Sequence, residues 1–239
     1  MLSKYLNYPI VKYISTRDDI RTLKDEYINR RNSTPIVKVS DPVILCSKLF
    51  SINAKPNSMI GIGLIRDNIF QDYKVDAHPD ILYNFYCTLA EELDKWGLKY
   101  EFFTNGLKED LNIIHIIEKK LNRSIQVRVP NNVIELLSII ASYRGIITAR
   151  MHSCIVAYSF NIPAVAMNWN NKVSMWFNNI NKADCCFDLD KLVPSAMIEK
   201  MLELESKGYE KEVRDKLEKE YMQMFKSAIR TIDRQKSTN

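Results

Sequence analysis

The sequence predicts an α/β protein organised around a doubly wound parallel sheet. Two observations predict it. Between residues 59 and 190, short apolar runs and amphipathic stretches alternate about six times, the pattern of a parallel sheet covered by helices. Within that region, residues 145–167 read as a buried strand, a sharp polar turn, a short helix and a second buried strand. Such a βαβ unit implies parallel strands and a right-handed crossover.

The chain as a whole bounds the rest. Its 239 residues, 46% hydrophobic and 26% charged, suit one large globular domain, or one domain with part of another. The net charge of +5 suits anionic ligands or a weak attraction to acidic membrane surfaces. No basic run is interleaved with aromatics, so nucleic acid is not an expected partner. The five cysteines, Cys46, Cys87, Cys154, Cys185 and Cys186, form no Cys-x-x-Cys and are expected as free thiols of a reducing compartment. His78, His115 and His152 lack zinc spacing. No signal-peptide core opens the chain, and no apolar run reaches the ~18 residues of a membrane span. The expected location is cytoplasmic, with a peripheral position at the inner membrane face as the alternative.

Taken in order, residues 9–15 and 36–39 read as strands, with Asp18 and Asp19 capping a helix between them. The polar stretch 51–58, with Asn53, Pro56 and Asn57, reads as a linker. It separates a first unit, 1–50, from a second, 59–206, and 207–239 follows as a C-terminal helix. Residues 59–65 open the second unit as a strand in which Gly61 and Gly63 permit close backbone approach; Arg66 ends it. A loop over 67–79 carries Tyr73 and His78. The amphipathic helix 80–96 stops at Gly97. Strand 98–104 turns at Asn105-Gly106 into a helix over 108–121, with His115 at its core or rim. Strand 125–129 leads to helix 133–142, capped by Asn132. Beyond residue 167, the loop 168–172 holds Trp169 and Lys172; a helix from Met175, a short strand 185–189 and helices 192–206 and 209–234 follow.

Arg150 and His152 fall where the first strand of the βαβ unit hands over to its helix. The first N–H groups of a helix lack intrahelical partners, and the helix dipole adds partial positive charge there. A guanidinium and an imidazole complete a site for phosphate or carboxylate. In open α/β sheets, ligands bind outside the carboxyl ends of the strands. Arg66, Asn105 and Lys172 follow other strands of the expected sheet and belong to the same edge. An Arg-x-His triplet alone recurs by chance; its place after an apolar strand is what marks it.

The stretch GIITARMHSCIVAYSFNIPAVAMNWNNKV resembles the C-terminal signature of the polysaccharide pyruvyl transferases. In that family an apolar strand runs into Arg-[Leu/Met]-His-[Ser/Gly]. A helix, a Gly/Asn-Ile/Val-Pro turn, an apolar strand and a Lys follow. Here these are Arg150, Met151, His152, Ser153, Asn161, Ile162, Pro163 and Lys172. IGIGLIR, ending at Arg66, extends the likeness. So does YISTRDDIRTLKDEYI…PIVKVSDPVIL, with its Ser-x-Arg-Asp and Asp-Pro. The resemblance implies a glycosyltransferase-B type of fold, with residues 59–206 as a Rossmann-like donor-binding domain. Residues 1–50 would be a remnant of a first Rossmann-like lobe that family members begin well over a hundred residues earlier.

The resemblance also implies an activity. Phosphoenolpyruvate, a co-substrate, would give its pyruvate as a cyclic ketal to two hydroxyls of a sugar in a cell-surface polysaccharide or its precursor, with no resident cofactor or metal. Arg150 and His152 would be catalytic. Arg66, Arg150, His152, Ser153, Lys172 and Asn105 would bind substrate. The acceptor would be a saccharide, free or lipid-linked. The incomplete first lobe would favour a partner chain or self-association. Two other readings stand beside this one: a nucleotide-sugar glycosyltransferase of the same fold, and a non-catalytic or truncated subunit of a split enzyme.

Overall fold

A computed structural model of the chain describes residues 2–17, 19–29 and 34–236. Asp18, expected to share a helix cap with Asp19, lies outside the described residues. The chain divides into two compact units, Met1–Ile44 with Glu210–Asn239, and Leu45–Tyr209.

The smaller unit begins with helix α1 (Leu2–Leu6), strand β1 (Ile14–Thr16), helix α2 (Ile20–Thr22), a π-turn over Leu23–Tyr27, and strand β2 (Ile36–Lys38). β1 and β2 pair in parallel, with Ile14 opposite Ile36, across that helical crossover. The strand expected over 9–15 is therefore shorter. Pro9 has no N–H to give a ladder, Ile10 is 84% exposed, and only residues 14–16 find a partner strand. Asp19 caps α2 by accepting from the Thr22 N–H at 2.9 Å. The two N-terminal stretches that carry the family likeness meet here. Arg17 of Ser-x-Arg-Asp forms an ion pair with the buried Asp41 of Asp-Pro, whose other oxygen accepts from the Val43 N–H. A long helix, Lys211–Lys236, belongs to this unit; the Ser40 hydroxyl donates to its Leu217 carbonyl at 3.0 Å.

The larger unit runs α3 (Cys46–Leu49), β3 (Ile60–Gly63), α4 (Ile69–Asp72), α5 (Asp80–Lys95), β4 (Tyr100–Phe103), α6 (Ile114–Leu121), β5 (Val127–Arg128) and α7 (Val133–Ala141). It continues through β6 (Gly145–Thr148), α8 (Met151–Ser159), β7 (Ala164–Asn168), α9 (Asn171–Asn179), β8 (Cys186–Asp188) and α10 (Pro194–Lys207). Its six strands form one all-parallel sheet in the order β5-β4-β3-β6-β7-β8. The chain builds outward from β3 in one direction, then returns to lay β6 on β3's other side. This is a doubly wound, Rossmann-like sheet, and the reversal lies between β3 and β6.

The central strands are apolar throughout because helices cover the sheet: every residue of β3 and β6 is buried. The helices pack in two groups, α5 with α6 and α10, and α8 with α3, α7 and α9. α5 buries Leu82, Phe85, Tyr86, Leu89 and Leu93 at helical spacing. Two glycines bring β3 close to its neighbours. A Cβ on Gly61 would stand 2.5 Å from the Tyr143 ring, and one on Gly63 would stand 2.1 Å from Thr148 Oγ1.

Two expected segments differ in detail. The helix expected over 108–121 is a 3-10 turn, Lys108–Leu111, followed by α6, and the break buries Asp110. His115, on α6, is exposed rather than packed. The loop expected over 67–79 contains α4, pinned by the buried Ile69 and Phe70. Residues 51–58 carry no regular secondary structure. Among the described residues, no helix is long and apolar enough to cross a membrane.

Candidate functional site

The residues that follow β3 and β6 flank the strand-order reversal, at the carboxyl edge where ligands of such sheets bind. Arg66 comes after β3. Its position is set by backbone groups around it: Tyr86 Oη donates to the Gly63 carbonyl at 3.1 Å and accepts from the Ile65 N–H at 3.2 Å. The Arg66 N–H itself donates to Asp110 Oδ1 at 3.0 Å. The Arg66 guanidinium reaches Asp72 Oδ2 on α4, through Nε at 3.1 Å and Nη2 at 2.7 Å.

Arg150 comes after β6 and is the N-cap of α8. Its N–H donates to Thr148 Oγ1 at 3.1 Å, and that hydroxyl reaches back to the Gly63 carbonyl at 3.4 Å. The small Gly63 therefore admits the Thr148 hydroxyl that turns the chain toward Arg150. The guanidinium, 16% exposed, forms an ion pair with the wholly buried Asp110. Asp110 thus ties together the backbone of Arg66 and the side chain of Arg150. Burial pushes its carboxyl above the ordinary value; the Arg150 charge and the Arg66 N–H oppose that shift without cancelling it. Two buried polar atoms of the pair, Asp110 Oδ2 and Arg150 Nε, have no hydrogen-bond partner among the described residues. Such atoms are costly, and they stand where a ligand of this sheet would arrive.

The other candidate residues lie along the same edge. His152 is exposed in the first turn of α8. Ser153, one residue on, is only 1% exposed and donates its hydroxyl to Asn105 Oδ1 at 2.8 Å. Asn105, at the end of β4, is thereby locked to the start of α8. Lys172 is exposed, not in a loop but in the first turn of α9, where Asn170 caps by accepting from its N–H at 3.0 Å. Trp169 after β7 donates its indole N–H to the Ala149 carbonyl at 2.7 Å, bracing the residue before Arg150. Its ring meets Tyr73 edge-on at 5.1 Å, and Tyr73 is 55% exposed. His78 is exposed beside Asp80 at 3.2 Å.

The geometry brings Arg66 and Arg150 together through Asp110, and Asn105 together with Ser153. The sequence reading missed Asp110. The available signal was an acid just past a strand end, hidden because Lys-Glu-Asp reads as a charged helix start. The cluster is also more neutral than a row of cations: Asp72 and Asp110 each face a guanidinium. Lys172 is an exposed positive group of the edge, and the N-terminus of α8 adds partial positive charge there. Among the described residues no three His, Cys, Asp or Glu side chains come together as a metal site would require.

No curated protein matches the sequence. A family profile does: the polysaccharide pyruvyl transferase profile matches residues 2–171, which takes in both units' motifs and the whole of the edge from Arg66 to Asn171. The chain belongs to the polysaccharide pyruvyl transferase family.

Proposed function

We propose that the protein transfers pyruvate from phosphoenolpyruvate to a saccharide as a ketal, at the edge between β3 and β6. The observation that carries this reading is the Arg150 guanidinium, partly exposed at the head of α8, with its Nε–H buried and unpartnered. A donor bearing phosphate and carboxylate supplies the acceptor atoms that such a group lacks. The backbone N–H groups that open α8 offer further hydrogen bonds to an anion.

The reaction needs a proton on the donor's methylene carbon, attack by a sugar hydroxyl on the neighbouring carbon, departure of phosphate, and closure by a second hydroxyl. Of the two hydroxyl protons, one balances the new methyl group and the other leaves with phosphate. His152, exposed beside Arg150, is the candidate proton donor, since imidazole exchanges protons readily near neutral pH. Arg150 would steady the charge that develops on the departing phosphate. Asp110 would hold Arg150 from behind. The Tyr73–Trp169 pair offers an aromatic edge for a saccharide ring.

Calorimetry with phosphoenolpyruvate and with nucleotide sugars tests the donor. The expected result is binding of phosphoenolpyruvate, weakened about a hundredfold in Arg150→Ala, the scale of losing one buried charge-paired donor. Heat with a nucleotide sugar and none with phosphoenolpyruvate would move the protein to sugar transfer. Phosphate release from phosphoenolpyruvate on adding a saccharide acceptor then tests the reaction itself.

A further inference from the structure

Two guanidiniums stand at the β3–β6 edge, and each meets a carboxylate of its own chain. The two carboxylates are held differently. Asp110 is wholly buried and also accepts from the Arg66 backbone, so it is fixed in place. Asp72 has a side chain 43% exposed and is the last residue of α4, a helix of one turn. The segment before it is anchored: Ile69 and Phe70 are buried, and Asp67 accepts from Tyr83 Oη at 2.8 Å. Tyr73 and Lys74, just beyond it, are exposed. Asp72 therefore has solvent to turn into, and Asp110 has none.

The contact uses a particular part of Arg66. Asp72 Oδ2 accepts from Nε at 3.1 Å and from Nη2 at 2.7 Å. These two N–H groups form one edge of the guanidinium, the edge on which a planar carboxylate can seat both of its oxygens. Here both bonds converge on a single oxygen. An ion pair this exposed adds little to stability, so its exchange for another carboxylate costs little. Arg66 also lies where the second charge of a donor would fall. Its N–H and the Arg150 guanidinium meet on the same oxygen, Asp110 Oδ1. A ligand whose phosphate rests on Arg150 thus has Arg66 as a neighbour.

We propose that Asp72 is a stand-in for the carboxylate of the donor: it occupies the two-pronged edge of Arg66 and yields it to a carboxylate carried on a phosphate-bearing ligand. Asp72 is then the residue that decides which anions the edge accepts. A ligand with both groups gains Arg66 in exchange for the Asp72 pair. A ligand with phosphate alone, such as the phosphate that the reaction releases, gains nothing by moving Asp72. The inference rests on the donor reading above and adds to it the group that meets the carboxylate and the residue that competes for that group.

Calorimetry at about 0.15 M sodium chloride, where distant charges are screened, tests it. Asp72→Asn should keep the parent's melting curve and bind phosphoenolpyruvate about three- to fivefold more tightly, the scale of one exposed ion pair. Its affinity for inorganic phosphate, read by competition, should change less than about twofold. In an Arg66→Gln background the same substitution should gain nothing, because the contested edge is gone. Parent binding of phosphoenolpyruvate that Asp72→Asn leaves unchanged or weakens overturns the inference and leaves the donor reading standing. An equal gain for phosphate and phosphoenolpyruvate, or a gain that survives Arg66→Gln, assigns the effect to net charge and overturns the inference as well. No heat with phosphoenolpyruvate from the parent overturns the donor reading, and this inference with it.

Discussion

Asp110 is the residue on which the candidate site turns. It is buried, it accepts from the backbone of Arg66, and it holds the side chain of Arg150. A buried pair of this kind brings little net stability, because removing two charges from water offsets their attraction; its contribution here is position. Asp110→Asn keeps the shape and removes the charge. The expected outcome is a folded protein whose kcat falls about a hundredfold through loose placement of Arg150, with a smaller change in KM for phosphoenolpyruvate. An unchanged kcat would sink the positioning role. The carboxyl also leaves a signature in stability. Its native pKa lies above the unfolded value, so the native state holds the proton more tightly. Its contribution is therefore full below about pH 4 and declines as pH rises through the native pKa. Melting temperatures across that range should show this decline in the parent and lose it in Asp110→Asn. The places of Arg66 and Arg150 at the carboxyl edge were legible in the sequence because each comes shortly after an apolar strand. Asp110 was not, because three successive charged or acidic positions look solvated until the 3-10 turn folds the last of them inward.

At the scale of elements, the contact between β3 and β6 fixes the site. Gly63 pairs with Thr148, and the Thr148 hydroxyl lies in the space a side chain at 63 would fill. Gly63→Ala should destabilise the protein by about 1–3 kcal/mol, the usual cost of overpacking. A melting temperature equal to the parent's would show that Thr148 can turn away at no cost. The variant should also bind phosphoenolpyruvate less tightly, since the same hydroxyl orients the Arg150 backbone. The glycines of β3 were readable as places of close approach; what approaches them was not, because Thr148 and Tyr143 are 80 or more residues distant in the chain. Central strands were legible from continuous apolar runs. Peripheral ones were not: residues 9–15 are rich in the β-branched and aromatic residues of a strand, yet of that stretch only Ile14 and Ser15, in β1, find a partner, and β5 keeps two paired residues.

At the scale of the molecule, the alternation of apolar runs sufficed for the parallel sheet; the order of its strands came only with the structure. The two-unit division depended on contacts between the first 44 residues and the last 30, which no local pattern displays. The net charge of +5 is likewise uninformative about where the charge acts. At the β3–β6 edge each guanidinium already has a carboxylate against it. Opposite charges this close cancel beyond about one Debye length, roughly 8–10 Å at moderate salt. On the proposed reading, a donor approaching through solution would then be recognised only on touching, and the edge would select by fit and not by reach. Raising sodium chloride from dilute buffer to about 0.3 M should change the KM for phosphoenolpyruvate less than about threefold.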